Sequence, residues 1–169
     1  MANKLNNIQY LIVHHTATAR DTTTFEAVKK YHISKGWGNI GYHFFITANG
    51  KRWYGRSEQT IGAHAKADNM NFRSLGICLT GNFMNEEPTP AQKYTLLNLI
   101  TALRVKYQIK ANSILGHREI TGAKTLCPGD HLLDWIIKYR QEENKATQSP
   151  QINEAILRIE EALKILKRL

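Results

Sequence analysis

The sequence predicts an α/β domain, a central mixed β-sheet flanked by helices, with a C-terminal amphipathic helix beyond it. Three observations carry this prediction. Short apolar, β-branched runs alternate along the chain with helix-period segments that open on capping signals. One Asn-Gly pair sits between two such runs and reads as a hairpin turn, which makes at least one strand pair antiparallel. The chain's charge and patterning also change abruptly near residue 140.

The elements follow in order. Gln9 to His14 is apolar and β-branched at its centre and reads as a buried strand. Thr23 to Glu26 fits a capping box, with Thr23 as N-cap and Glu26 three residues on. Phe25, Val28 and His32 continue at helical spacing, and Gly36 closes the segment. Tyr42 to Thr47 is a strand, Asn49-Gly50 turns the chain, and Arg52-Trp53-Tyr54 returns. Leu75 to Thr80 is a further strand. Thr89-Pro90-Ala91-Gln92 marks a helix start, with proline at the first helical position, and the helix runs to about Tyr107. Ser113 to Leu115 is a short strand, and Leu132 to Tyr139 a last core helix. The expected domain therefore spans residues 1–140. Residues 141–151 are polar and read as a linker. In 152–169, Ile152, Ile156, Ile159, Leu163 and Leu166 recur at heptad spacing. A coiled coil joining subunits fits that seam best, ahead of packing back on the domain. A membrane-disrupting helix is least favoured, since the segment is not strongly basic.

A chain of 169 residues fits one domain with a little to spare. No stretch approaches the ~20 apolar residues of a membrane span, and the apolar content is too high for a disordered chain. The net charge is +9, and residues 1–140 hold all of the excess: eighteen Lys and Arg against nine Asp and Glu. Charge of this sign suits an anionic partner, whether nucleic acid, an anionic membrane or the bacterial cell wall. No helix-turn-helix, RNA-recognition or zinc-finger pattern supports nucleic acid. Cys78 and Cys127 are too few for a disulfide framework, and the N-terminus shows no secretory apolar run. Synthesis in a reducing cytoplasm without a signal peptide is the expectation.

His14 and His15 end one strand, His117 follows another, and Cys127 lies in a loop ten residues later. Three borderline or soft donors from separate segments are what an open catalytic zinc site uses; a closed structural site shows paired, closely spaced ligands. Adjacent strand residues point to opposite faces, so one of His14 and His15 joins such a site, and the pattern leaves open which.

Six motifs occur in order over Tyr10 to Tyr139: Val13-His14-His15-Thr16-Ala17-Thr18, Gly41-Tyr42-His43-Phe44, Gly62-Ala63-His64, Ser74-Leu75-Gly76-Ile77, Gly116-His117-Arg118-Glu119 and Thr125-Leu126-Cys127-Pro128-Gly129. In these the chain resembles the type-2 zinc N-acetylmuramoyl-L-alanine amidases of phages and bacteria, relatives of the peptidoglycan recognition proteins. The resemblance implies zinc on His14, His117 and Cys127 with water in the fourth position, one ion per chain. It implies Tyr42 and Thr125 as the groups that steady the oxyanion and serve the leaving amine, and His64 in the substrate groove. Arg73 is a candidate grip for a substrate carboxylate. Cys78, alternating with Ile77 and Leu79, reads as an inert buried thiol. The implied reaction is hydrolysis of the amide between N-acetylmuramic acid and L-alanine in peptidoglycan, by a phage or prophage endolysin reaching the wall after release. The basic domain would be drawn to anionic wall or outer-surface polymers, with 152–169 able to form a homo-oligomer. A non-catalytic recognition module is the alternative, although such relatives typically lose the cysteine. Cytosolic recycling amidases carry an acidic residue and an Asp where this chain has Cys78 and Cys127, which disfavours that role and leaves no glutamate base to name.

Overall fold

The structure, a computed structural model, describes residues 4–147 together with Glu154, Arg158, Ile159 and Glu161. The heptad-patterned segment expected at 152–169, and the association expected of it, lie largely outside the described residues. No helix among them is long and apolar enough to cross a membrane.

Five strands form one sheet: β1 (Tyr10–His15), β2 (Phe44–Ile46), β3 (Arg52–Tyr54), β4 (Ser74–Leu79) and β5 (Ile114–Gly116). Their order across the sheet is β3-β2-β4-β1-β5. β1 lies parallel to β4 and β5, β2 lies parallel to β4, and β3 returns antiparallel on β2 through the Asn49-Gly50 turn. The expected mixed sheet is thus present, with its antiparallel pair at the edge.

Because strand residues alternate, the sheet has two unlike faces. Leu11, Val13, Phe44, Ile46, Leu75, Ile77, Leu79 and Ile114 share one hydrophobic cluster with Leu96, Leu99, Ile100 and Leu103 of α2 (Pro90–Tyr107) and Leu132, Ile136 and Tyr139 of α3 (Asp130–Thr147). This is the helix-covered face. The other face carries two smaller clusters. One joins Ile12 to Ala65, Met70 and Ile120, and the other joins Phe45 and Cys78 to Phe25 and Ile40. The latter is capped by α1 (Phe25–Ser34).

α2 starts where its capping box says. The Thr89 hydroxyl accepts from Gln92 N–H, and the Gln92 side chain accepts from Thr89 N–H. Gln92 is fully buried and also donates to the Thr80 carbonyl at 2.8 Å, tying the helix start to the end of β4. α1 corrects the expected cap by one residue. Thr24 accepts from Ala27 N–H at 3.1 Å, whereas the Thr23 hydroxyl donates to the Ala19 carbonyl at 2.7 Å. Three consecutive threonines offer three similar caps, and the one engaged by the preceding turn is unavailable. α3 runs through Thr147, so residues 141–147 of the expected linker are helical. Glu143 there pairs with Arg104 of α2, and Asn144 bonds Asn112 at 2.8 Å. These polar contacts extend the helix where no apolar period marks it.

Candidate metal centre and cleft

His14, next to last in β1, points to the split face, and His15 to the helix-covered one. His15 Nδ1 there accepts from Phe83 N–H at 3.2 Å. The structure thus resolves which of the adjacent pair faces the cluster. The loop after β5 brings in His117, and the loop before α3 brings in Cys127. One donor atom from each of His14, His117 and Cys127 lies within 4.8 Å of the others. His14 presents Nδ1 to Cys127 Sγ at 3.6 Å, and its ring centroid lies 4.6 Å from that of His117. Two imidazoles and a thiol converging from three segments fit a zinc ion, and three protein donors leave a coordination position open.

Each donor is held from behind. Glu119 accepts from Gly116 N–H at 2.8 Å and takes both guanidinium nitrogens of Arg140 on α3, which fixes the corner carrying His117. Thr125 Oγ1 accepts from Cys127 N–H at 3.1 Å, and His15 N–H donates to Cys127 Sγ at 3.4 Å. Burial lowers the pKa of His14 and His117, so both stay neutral and keep a lone pair for a metal. Burial pushes the Cys127 thiol up to about 12, against the opposing pull of the His15 N–H and of Arg118. Metal uptake would therefore release the thiol proton.

The trio floors an open cleft of about 480 Å³, walled by Trp37, Tyr42, Thr125 and Leu126. A second hollow of about 450 Å³ shares Trp37, His64, His117 and Thr125 with it, and is flanked by Lys66 and Lys124. The Tyr42 ring sits 5.1 Å from that of His14. Burial first, and then the Cys78 and Cys127 thiols, hold its phenol well above the usual tyrosine value. Tyr42 therefore keeps its proton. Cys78 is fully buried and its thiol is likewise raised by burial, which suits an unreactive role.

Two of the expected residues behave differently from the rest. Arg73 lines neither hollow; it pairs with Asp68, donates to the Asp68 carbonyl at 3.0 Å, and lies over the Tyr10 ring. His64 borders both hollows but is only 8% exposed, and its Nδ1 lies 3.0 Å from His14 Nε2. Two features went unread in the sequence. Trp37, 42% exposed, stands between Gly36 and Gly38, whose φ of +79° and +71° swing the indole into the cleft wall; a Gly-Trp-Gly triplet was the available signal. Arg56 donates to the carbonyls of Trp37, Ile40 and Ile61 and so binds three wall segments together.

An α/β sheet with two histidines and a cysteine converging beneath an open cleft offers three donors to a metal ion and leaves a further coordination position open. More particularly, the chain belongs to the N-acetylmuramoyl-L-alanine amidase family, whose profile matches residues 4–130. It is 35% identical over 139 residues to peptidoglycan-recognition protein SC2 of Drosophila melanogaster, covering 78% of this chain and 73% of that protein. It is 33% identical over 131 residues to the endolysin of Escherichia phage T7, covering 74% of this chain and 83% of the endolysin. Among solved structures, the N-acetylmuramoyl-L-alanine amidase LysC from Clostridium intestinale URNW superposes with a TM-score of 0.71 at 33% identity. That match covers 80% of this chain and 86% of LysC.

Proposed function

We propose that the protein is a zinc-dependent amidase that cleaves peptidoglycan between N-acetylmuramic acid and L-alanine, and that it works as a phage or prophage endolysin. The observation that carries this reading is the convergence of His14, His117 and Cys127 under the cleft that Tyr42 and Thr125 wall. His14, His117 and Cys127 would hold a zinc ion, which would supply Lewis acidity toward the scissile carbonyl and activation of water near neutral pH. The chain's own groups do the rest. Tyr42, kept protonated by its burial, donates a hydrogen bond to the carbonyl oxygen as it gains charge. Thr125 oxygen already accepts from Cys127 N–H, which leaves its own hydrogen to donate toward substrate. Trp37 offers an aromatic wall for sugar or peptide, and Lys66 and Lys124 suit carboxylates of the peptide stem. The basic domain favours encounter with anionic wall polymers.

Digestion of purified cell walls tests the chemistry. New L-alanine N-termini that vanish with a chelator are expected; new reducing sugar ends would sink the proposal. The second reading, a recognition module that binds without cutting, is prompted by the likeness to a peptidoglycan-recognition protein. Zinc-loaded protein that binds muropeptides and leaves them whole would favour it.

A further inference from the structure

We infer that His64 is a positioning residue for the metal ligand His14, holding that imidazole in the tautomer and orientation a metal requires, and is not a substrate contact. The inference rests on the metal reading of the His14, His117 and Cys127 trio. His14 uses Nδ1 toward Cys127 Sγ, 3.6 Å away. A neutral imidazole that gives one nitrogen to a metal carries its proton on the other. For His14 that is Nε2, and the atom facing it is His64 Nδ1 at 3.0 Å, with both rings buried. His64 Nδ1 is therefore the acceptor of His14 Nε2–H. A ligating histidine anchored in this way keeps its ring angle and gains basicity.

The surroundings of His64 serve that task. Its backbone N–H and that of Ala65 both donate to Asn71 Oδ1, at 2.9 and 2.8 Å. Its ring lies in a slot that two glycines leave open. A Cβ on Gly62 would stand 2.4 Å from His64 Cδ2, and one on Gly76 would stand 2.5 Å from His64 Cγ. On the remaining side the His43 ring packs edge-on, with centroids 5.6 Å apart. His43 is itself fixed, accepting from Gly76 N–H at 2.9 Å and bonded through Nε2 to the Thr60 carbonyl. Neither nitrogen of His64 faces the cleft: Nδ1 is taken by His14, and Nε2 is buried without a partner in hydrogen-bond geometry. A substrate group reaching His64 would find only carbon edge. Gly76 in the middle of a strand, a weak choice for sheet formation, is explained by the same slot.

The test uses the full chain, stripped of metal and titrated with zinc against a chromophoric chelator, and loaded in parallel with cobalt to read its thiolate and ligand-field bands. His64→Leu removes the acceptor, and His64→Asn returns an oxygen near the place of Nδ1. The leucine variant is expected to lose roughly 10–100-fold in zinc affinity and to shift the cobalt spectrum, and the asparagine variant to recover most of both. Unchanged zinc affinity and cobalt bands in the leucine variant, with only KM for muropeptides raised, would overturn the inference in favour of substrate contact. Equal destabilisation of the two metal-free variants with unchanged affinity in the folded fraction would overturn it in favour of a merely structural role. Should the leucine variant not fold, nitrogen NMR of the zinc-loaded wild type decides: a proton on His14 Nε2 and none on His64 Nδ1 supports it, and the reverse overturns it. Wild type that takes up no zinc overturns the metal reading and this inference together. Wild type that binds zinc but leaves walls uncut defeats the amidase reading alone.

Discussion

On the helix-covered face of the sheet, side chains from β1, β2, β4 and β5 merge with those of α2 and α3 into one apolar mass. On the split face the same strands, one residue out of step, carry two separate apolar clusters with a group of histidines between them. His14 and His15 show the contrast at its smallest scale. They are adjacent and both buried, yet His15 accepts a backbone N–H from Phe83 and serves packing, while His14 meets His64, His117 and Cys127. One face is continuous and resists change through its volume. The other is interrupted, and there His14 meets side chains, His64 and Cys127, rather than backbone. The lesson is that a site here is marked less by the size of a hollow than by who satisfies its polar groups. A larger hollow of about 710 Å³ holds Glu58, but there the carboxylate is answered by Lys106 and Tyr107.

The contrast can be broken at several strengths. Cys127→Ser should have the largest effect. It removes the only thiol of the trio, and metal affinity should fall by more than the ~10–100-fold typical of losing a supporting group. Metal content after dialysis, alongside wall digestion, checks this; retained zinc and turnover would remove Cys127 from the centre. Tyr42→Phe should lower turnover roughly 10²–10³-fold, as loss of an oxyanion donor does, with zinc content unchanged. A drop in metal content instead would show that Tyr42 supports the ligands.

Leu96→Ala, on the helix-covered face, should reverse the pattern. A fully buried leucine of α2 is truncated, and about 2–5 kcal/mol of stability should go, while the folded fraction binds zinc as before. Denaturant melts beside zinc titration separate the two readouts, and weaker zinc binding would show the faces are coupled. Acid should strain both faces together. His15 and His43 are each held at about 4 by burial, below the usual 6.5. Both are neutral when folded and take up protons on unfolding, so their contribution is complete above pH 6.5 and is lost as pH falls toward 4. Each costs about 1.4 kcal/mol per pH unit in that window. Flat stability between pH 6.5 and 4.5 would contradict their burial as neutral groups. Cys78→Ala should do least: about 1 kcal/mol of stability and turnover within a few-fold. A large fall in turnover would mean that the thiol holds the Tyr42 phenol in place.

Much of this organisation was legible in the chain because its signals are local. The Thr89 to Gln92 box, the Asn49-Gly50 turn and the β-branched runs each declare an element within a few residues. The end of α3 was not legible, because Gln141 to Thr147 are polar and the helix there is held by Arg104 and Asn112 from elsewhere. Thr23 and Thr24 could not be told apart without knowing that the Ala19 turn claims the first of them. The candidate metal donors came through resemblance, since strand alternation separates His14 from His15 without saying which face matters. Arg73 lines neither hollow, and the loop before β4 doubles back through Asp68 and Asn69, both at positive φ, and delivers a carboxylate to its guanidinium. The partner of His64 depends on what Gly62 and Gly76 omit, and an omitted side chain leaves little trace in a pattern search.

α3 begins three residues after Cys127 and is fastened by Arg140 to the corner that carries His117. From Asp130 to Thr147 it is one unbroken helix of eighteen residues, roughly 27 Å from end to end. A group attached along α3 is therefore held on a strut of fixed length rather than on a tether. Adding a full turn of helix would move such an attachment outward by about 5 Å and keep its bearing, whereas adding two residues would swing it to the opposite side of the rod. The placement of any group mounted on α3 is set by counting residues along it.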